Sequence, residues 1–287
     1  MRALVLGANG MLGRAMFRRL SADPTLETLG VVRSLSTAAT LEGLRASARA
    51  TLVEMPSILD DTRLSEHLHA FSPTAIINCI GWRGQPKTDA DAAAMTEVNS
   101  DWPHRLARMA EGVGARLIHI SSDGVFSGRR GQYRETDTPD PTDPYGRSKL
   151  LGEPAGAHCT VVRTSLIGHA YPDSNQLVDW LLRQTGIVTG FQRSIFSGMP
   201  VTEAARIVHG ILLRRPDIVG IVHLAAPPIS KFDLLTRIAA LYGLDLEVRP
   251  AQEPVLDRSL DASRFASLCG YATPGWPKLL DDMKRER

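Results

Sequence analysis

Cysteine is scarce in this chain, with three in 287 residues: Cys79, Cys159 and Cys269. They are odd in number, widely separated and outside any Cys-x-x-Cys or Cys/His cluster. A disulfide framework and a zinc site are therefore excluded, and no metal is expected. A reducing, cytoplasmic location is the expectation that follows. Charge of one sign is also lacking: 33 Lys and Arg against 31 Asp and Glu leave a formal charge of +2. Nucleic-acid binding needs a concentrated cationic surface, so nucleic acid is not an expected partner. Long hydrophobic runs are absent too. The most apolar stretch, Ile218 to Ile229, is broken by Gly220, His223 and Pro227-Pro228, well short of the ~20 residues of a membrane helix. The N-terminal Met-Arg-Ala-Leu-Val-Leu-Gly is too short for a signal-peptide core, so no membrane partner is expected. There is no internal repeat or low-complexity tract. What remains is a soluble globular chain long enough, at roughly 150 residues per domain, for one large domain or two unequal ones.

Apolar patterning supplies the architecture. Strands are predicted at Ala3–Gly7, Thr28–Arg33, Thr74–Asn78, Arg116–Ile120 and Cys159–Arg163, separated by helical stretches at Met11–Ser21, Arg63–Phe71 and Asp91–Val113, the last kinked at Pro103, and by a helix around Lys149. Strands alternating with helices imply right-handed βαβ units, so the fold class is α/β: a Rossmann-like, doubly wound parallel sheet. After residue 168 the rhythm changes. Helices are expected at Ser174–Gln184, Thr202–Arg214, Lys231–Tyr242 and Ser259–Cys269, a loop or short strand at Phe191–Pro200, a strand at Gly220–Leu224 and an extended Leu244–Val248. The expected division is a dinucleotide-binding domain of residues 1–168 plus about 200–226, and a smaller C-terminal α/β substrate lobe of about 169–199 plus 227–287. The polar end Asp281–Arg287 is expected to be a solvated helix end.

Between the first strand and first helix stands Gly7-Ala-Asn9-Gly10-Met11-Leu12-Gly13. Glycines there permit a tight turn, let backbone N–H groups approach a pyrophosphate and allow close helix-to-sheet packing, while the helix N-terminus adds partial positive charge. The spacing G-x-x-G-x-x-G departs from the usual G-x-G-x-x-G, and an ordinary glycine turn is the alternative. At the end of the second strand an acidic residue would bind the ribose of NAD and a basic one the 2′-phosphate of NADP. The chain has Arg33-Ser34 there, which favours NADPH, with NADH still compatible. The alternative is a surface arginine. Asp60 or Asp61 is a further candidate for an adenine contact.

Asp143-Pro-Tyr145-Gly-Arg-Ser-Lys149 puts a phenol and an ammonium one helical turn apart on one face. A free phenol has a pKa near ~10, and a neighbouring cation favours its anion, so Lys149 is expected to lower the pKa of Tyr145. Such a tyrosine can protonate a carbonyl oxygen as hydride reaches its carbon. Alone, the spacing is also that of any solvated helix face. Its expected partner is a hydroxyl at the end of the preceding strand, in Ser121-Ser122-Asp123-Gly124-Val125, since strand C-termini face the ligand crevice of doubly wound sheets; one of the two serines is free simply to cap a turn. Cys79, Ile80 and Gly81 close another strand where a cofactor ribose would pass. Asn99 suits a helix interior poorly and is a candidate to bind a water or a backbone carbonyl behind the site, an exposed Asn being the alternative.

With these residues together the chain resembles the extended short-chain dehydrogenase/reductase superfamily, and within it the dTDP-4-dehydrorhamnose reductases and related sugar-nucleotide reductases. Further matches are Ile118–Gly128, Tyr133–Asp137 and Arg163-Thr164-Ser165, and the likeness runs over most of residues 1–226. The resemblance implies that Ser122 stands at the catalytic Thr/Ser position, Tyr145 at the proton donor, and Lys149 at the residue that lowers its pKa and holds the nicotinamide ribose. Arg163, Thr164 and Ser165 would line the nicotinamide. Asp123, Gly124 and Val125 would adjoin the sugar, and the Phe191–Thr202 loop would reach the substrate, with Arg193 on phosphate and Phe191 or Phe196 beside a base or sugar. Interlobe packing is the alternative for the phenylalanines and a plain surface charge for Arg193. Trp82 and Arg83 are further sugar-pocket candidates, with loop packing as the alternative. Two departures, Gly124 for a frequent aromatic and Leu166 for a frequent Trp, lie near the expected pocket and are compatible with another 4-keto-6-deoxy sugar, N-acetylated ones included. The related 4,6-dehydratases carry an Asp-Glu pair after the strand-end hydroxyl. Here Gly124 follows Asp123, which speaks against dehydration.

The expectation is thus an NADPH-dependent reductase of a nucleotide-diphospho-4-keto-6-deoxy sugar serving cell-surface polysaccharide or glycoside biosynthesis, with a sugar nucleotide as partner and a homodimer compatible. The alternatives are an NAD-retaining 4-epimerase and a non-catalytic NADP-binding regulatory subunit, because the beta subunit of methionine adenosyltransferase is similar to these reductases.

Overall fold

The structure, a computed structural model, describes residues 1–36, 49–170 and 176–286. Along the first half run β1 (Arg2–Leu6), α1 (Met11–Ser21), β2 (Glu27–Val32), β3 (Ala50–Glu54), α2 (Asp61–Phe71), β4 (Ala75–Asn78), α3 (Asp89–Thr96), a π-helical stretch Glu97–Asp101, α4 (Trp102–Gly112), β5 (Arg116–Ile120), α5 (Pro144–Leu151) and β6 (Cys159–Arg163). The second half contributes β7 (Leu166–Ile167), α6 (Leu177–Leu182), β8 (Gly186–Phe191), β9 (Ser194–Phe196), β10 (Met199–Pro200), α7 (Val201–Gly210), β11 (Gly220–His223), β12 (Ile229–Ser230), α8 (Lys231–Tyr242), β13 (Leu246–Ala251), β14 (Leu256–Asp257), α9 (Ser263–Cys269) and α10 (Trp276–Arg285).

Seven strands form one sheet in the order β11-β6-β5-β4-β1-β2-β3, and every pairing in it is parallel. Such strands are covered on both faces and read as continuous apolar runs: Ala3 to Leu6 and all of Cys159–Arg163 are buried. On one face Met16, Phe17 and Leu20 of α1 pack with Ala204 and Val208 of α7 and Leu280 and Met283 of α10. On the other, Leu64 and Leu68 of α2 pack with Trp102 and Leu106 of α4. Strand order reverses between β1 and β4, where the register Leu6↔Asn78 sets the glycine turn beside Cys79. In doubly wound sheets that is where ligands bind.

The structure departs from the expected elements in places. The helix predicted over Asp91–Val113 is two α-helices joined by π-helical backbone, so the irregularity lies just ahead of Pro103, which occupies the first turn of α4. Pro103 has no N–H for the carbonyl of Asn99, four residues earlier. That carbonyl instead abuts Gly152, where a Cβ would lie 1.7 Å from it. Strand β8 was not foreseen, and β9 and β10 divide the expected Phe191–Pro200 segment. The helix predicted over Ser174–Gln184 is Leu177–Leu182; Ser174 and Asn175 lie outside the described residues. The polar C-terminal end is not simply solvated. Trp276, Leu279, Leu280 and Met283 recur at helical spacing and are buried, while Arg18 donates to the Glu286 carbonyl at 2.7 Å.

One buried ion pair ties α5 to β6. Arg163 donates through Nε to Glu153 Oε1 at 2.8 Å and through Nη2 to Oε2 at 2.7 Å, and Ser121 donates to Oε1 at 2.6 Å. The two side chains are 2% and 7% exposed. Removing one partner of such a pair strands the other charge in the interior, at about 3–5 kcal/mol. Glu153→Ala should therefore lower the free energy of unfolding by about that amount, read from the urea midpoint at pH 7.

Candidate active site

The glycine turn is built by close backbone contact. Gly7 has φ +76°, and its N–H and that of Ala8 both donate to the Val31 carbonyl, at 3.1 and 2.9 Å. A Cβ on Gly13 would lie 2.0 Å from the Gly7 oxygen, so α1 presses directly onto the turn. No side chain caps this eleven-residue helix, and its first turn carries no acidic residue. Its opening N–H groups and dipole thus face the crevice, an arrangement suited to an anion. Met11 and Leu12 turn their side chains into the core, which leaves only their backbone for a ligand. Arg33 is exposed just after β2, and Ser34 shares a 2.8 Å hydrogen bond with Ser36. Glu54 accepts from Leu35 N at 2.7 Å and so lies against the same turn. Asp60 caps α2 by accepting from Arg63 N at 3.0 Å, and Asp61 pairs with Arg105 at 2.9 Å; both candidates for an adenine contact are thus engaged within the protein.

Helix α5 brings Tyr145 and Lys149 to the ends of β4, β5 and β6. Asp143 caps it, accepting from Gly146 N at 2.7 Å, and Pro144 opens its first turn. Gly146 allows the helix to approach the strand-end loop: a Cβ there would lie 2.1 Å from the Gly124 oxygen. In that loop Ser122 accepts from Gly124 N at 3.0 Å and donates to Asp123 Oδ1 at 3.2 Å, and its hydroxyl and the Tyr145 ring both lie against Gly124. Ser121 points the other way, to Glu153, because successive residues of extended chain face opposite sides. Of the two serines, then, Ser122 meets the tyrosine. Lys149 is buried, and its ammonium donates to the Ile120 carbonyl at 2.9 Å. Asn99 is buried rather than exposed: its Oδ1 accepts from Trp82 N at 2.7 Å, and its Nδ2 donates to Trp82 O at 3.1 Å and Ser148 Oγ at 3.0 Å. It binds backbone carbonyl as foreseen, but its amide is occupied by the loop after β4 and by α5, and its role is to hold them together.

Burial dominates the electrostatics. It pushes Lys149 down to about 8, with Glu153 opposing. It raises Asp123 to about 6, against Arg258, Ser122, Lys231 and Ser165. His119, beneath the site, is held neutral by burial and by the Lys149 charge, and its Nδ1 accepts from Asn78 Nδ2 at 3.0 Å. The Tyr145 phenol corrects the expectation of a lowered pKa. Burial raises it, with Asp123 and Asp143 adding to the rise and Ser122 and Arg83 opposing. A phenol in this state keeps its proton at neutral pH and can donate it.

A uniform set of likenesses accompanies this geometry. The family described as RmlD substrate binding domain matches residues 1–268. The chain belongs to that family. It is an extended short-chain dehydrogenase/reductase of the sugar-nucleotide reductase type. Methionine adenosyltransferase 2 subunit beta of Xenopus laevis is 34% identical over 99% of this chain and 90% of that protein. A dTDP-4-dehydrorhamnose reductase of Streptomyces griseus is 31% identical over 54% of this chain and 44% of its own. Among solved structures, a hypothetical dTDP-4-dehydrorhamnose reductase of Sulfolobus tokodaii superposes with a TM-score of 0.78 at 26% identity, covering 99% of both chains. The dTDP-4-dehydrorhamnose reductase of Bacillus anthracis in complex with NADP shares the fold at 20% identity and a TM-score of 0.79, covering 100% of this chain and 99% of that one.

Several residues expected at the site of this RmlD-family protein are elsewhere. Arg163 is committed to Glu153. Val125 is fully buried in a small core with Phe126 and Tyr133, so its side chain cannot line a sugar pocket. Phe196 is core, packing on Trp276 with ring centres 5.9 Å apart, although its other side meets Lys231. Arg193 is exposed, Phe191 is half-buried at the end of β8, and nothing ties either to Tyr145. Thr164 accepts the Asp123 N–H through its carbonyl, at 3.1 Å, and the Ser165 carbonyl accepts from Met199 N at 2.8 Å. Cys79 and Ile80 border the glycine turn, a Gly81 Cβ would fall 3.8 Å from the Lys149 ammonium, and Arg83 acts on the Tyr145 phenol. Sequence reasoning missed Gly146, Glu153, Lys231 and Arg258. Only Gly146 had a local signal, a glycine within a short helix, which calls for a packing reason.

Gly146→Ala should push α5 off the strand-end loop by a sizeable fraction of an ångström. Turnover should fall about 10²-fold, with a stability loss of about 1–3 kcal/mol. Steady-state kinetics and thermal melting of the variant check both.

Proposed function

We propose that the chain is an NADPH-dependent reductase of a nucleotide-diphospho-4-keto-6-deoxy sugar, working in cell-surface polysaccharide or glycoside biosynthesis. The observation that carries this reading is that the Ser122 hydroxyl and the Tyr145 ring meet at Gly124, with the Lys149 ammonium buried beside the same strand ends. The glycine turn fits a dinucleotide: its cradle would be filled by any Cβ at Gly13, and the uncapped start of α1 suits a pyrophosphate. Gly7 to Gly13 would hold that group, Arg33 and Ser34 the adenosine phosphate, and Cys79 to Gly81 with Thr164 and Ser165 the nicotinamide half. Residues 1–168 plus about 200–226 would make up this half of the protein.

When bound, the dinucleotide supplies the hydride that reduces C4. Tyr145 gives its phenolic proton to the C4 oxygen, and Ser122, beside the same ring, orients that oxygen. The phenolate left behind is stabilised by the Ser122 hydroxyl and by the Arg83 and Lys149 charges. Lys149 spends one N–H on Ile120 and has two more for the nicotinamide ribose. The absence of a carboxylate after Asp123 leaves no pair for dehydration.

A second reading is a regulatory subunit, favoured by the 34% identity with methionine adenosyltransferase 2 subunit beta over nearly the whole chain. The triad residues give it no role for Tyr145. Following NADPH absorbance with a panel of keto-sugar nucleotides separates the two; no consumption with any of them, together with stable binding of a methionine adenosyltransferase, would establish the second.

Tyr145→Phe should cut turnover by at least about 10²-fold while leaving NADPH affinity, read by nucleotide fluorescence, within about twofold. Raising pH through about 8 removes the Lys149 proton, so charge is present below that value and lost above it. NADPH affinity should therefore weaken about tenfold per pH unit above it at the steepest, and Lys149→Arg should remove the break.

A further inference from the structure

Asn78 ends β4 and stands opposite His119 of β5 in the strand register, and both side chains are fully buried. The orientation of the Asn78 amide is fixed from one side. Its Oδ1 accepts from Ile80 N at 3.0 Å, so the atom 3.0 Å from His119 Nδ1 is Nδ2, a donor. Nδ1 must therefore be the unprotonated nitrogen, and the imidazole is neutral with its proton on Nε2. That Nε2–H is buried without an acceptor among the described residues. A buried donor left unsatisfied is costly, and a position that only filled the core would be better served by an apolar side chain. What His119 supplies is the acceptor at Nδ1.

Through Asn78 that acceptor reaches the crevice. The bond from Ile80 N to Asn78 Oδ1 shapes the turn Cys79–Gly81, whose first N–H donates to Leu6 O at 3.1 Å. A Cβ on Gly7 would lie 2.8 Å from Ile80 Cγ1, and one on Gly81 would lie 3.5 Å from Asn99 Oδ1 and 3.8 Å from the Lys149 ammonium. The turn thus adjoins the glycine loop at one end and the Asn99 and Lys149 side chains at the other. We propose that His119 is a positioning residue for the nicotinamide half of the dinucleotide: it accepts from Asn78 and so keeps the Asn78 amide oxygen on Ile80 N and the Cys79–Gly81 turn in shape. The proposal rests on the reductase reading for where that half lies. Without the acceptor the buried Asn78 Nδ2 has no partner, and an amide that turns to find one takes its oxygen off Ile80 N. The adenosine half, assigned to the start of α1 and the end of β2, does not depend on this turn.

The test is calorimetry on the whole chain with NADPH and with adenosine 2′,5′-bisphosphate, which carries the adenosine half alone; should NADH bind better, NADH and AMP form the pair. His119→Leu should weaken the dinucleotide at least about tenfold and the fragment less than about twofold. His119→Asn, whose Oδ1 falls close to the position of Nδ1, should recover most of the loss. His119→Gln, whose acceptor lies one bond farther out, should not, and it stands in for the Leu variant if that one does not fold. In turnover, His119→Leu should raise the KM for the dinucleotide more than it lowers kcat. Equal weakening of both ligands, unchanged dinucleotide affinity in the Leu or Gln variant, or recovery by Gln and not by Asn overturns the proposal. Dinucleotide binding by the unmutated chain without consumption with any keto-sugar nucleotide refutes the reductase reading and leaves the calorimetric arm to decide on His119. Failure to bind either dinucleotide overturns both.

Discussion

Helix α5 presses onto backbone at both of its ends, and the site depends on that seating. Gly146 lies over the Gly124 carbonyl and Gly152 over the Asn99 carbonyl, each closer than any side chain would permit. Between them Ser148 is bonded by Asn99 Nδ2 at 3.0 Å, and its carbonyl accepts from Ser100 at 3.0 Å. Backbone contacts of this kind leave little freedom, because peptide units cannot rotate away as side chains do. The phenol of Tyr145 and the ammonium of Lys149 inherit that rigidity, which proton transfer requires of its donor. The π-helical stretch has the same origin: it turns Asn99 so that its carbonyl meets α5 while its amide holds Trp82.

Rigid seating brings charges out of water, and the protein answers each one differently. Arg163 and Glu153 neutralise each other with two hydrogen bonds. His119 is kept neutral. Lys149 stays near its titration point, satisfied in part by a carbonyl. Asp123 is raised toward neutrality by burial and accepts from Ser122 at 3.2 Å. The first two solutions pair or remove the charge, although Arg163 Nη1 and His119 Nε2 have no hydrogen-bond partner among the described residues. The last two leave capacity that a ligand can use, and they border Ser122 and Tyr145.

Overall likeness and local chemistry point in different directions here. In sequence, the methionine adenosyltransferase subunit of Xenopus laevis aligns over nearly the whole chain and the reductase of Streptomyces griseus over about half, while the reductase structures superpose over all of it. Identity over a whole chain weighs every position equally, whereas a reaction depends on a few. Tyr145, the Ser122 hydroxyl and the buried Lys149 ammonium lie at the same strand ends, and burial favours the protonated phenol that the proposed reduction would consume.

Much of this was legible in the sequence because the signals are local. A buried strand, a glycine turn and a helix follow one another at Ala3–Ser21, and the i to i+4 spacing of Tyr145 and Lys149 means about one helical turn whatever surrounds them. The parallel sheet, the crevice and the pairing of a strand-end serine with the tyrosine followed from such spacings. The C-terminal helix was equally periodic, at Trp276, Leu279, Leu280 and Met283, but its charged residues masked the pattern. Other features had no local signal at all. Tertiary structure alone decided that Ser121 turns to Glu153, that Arg163 is spent on Glu153, that Val125 and Phe196 are core, and that burial raises the Tyr145 pKa where a neighbouring lysine was expected to lower it. The physical reason is common to them: hydrophobic period and turn chemistry act within a few residues, while desolvation and backbone contact depend on what segments distant in the chain bring against a group.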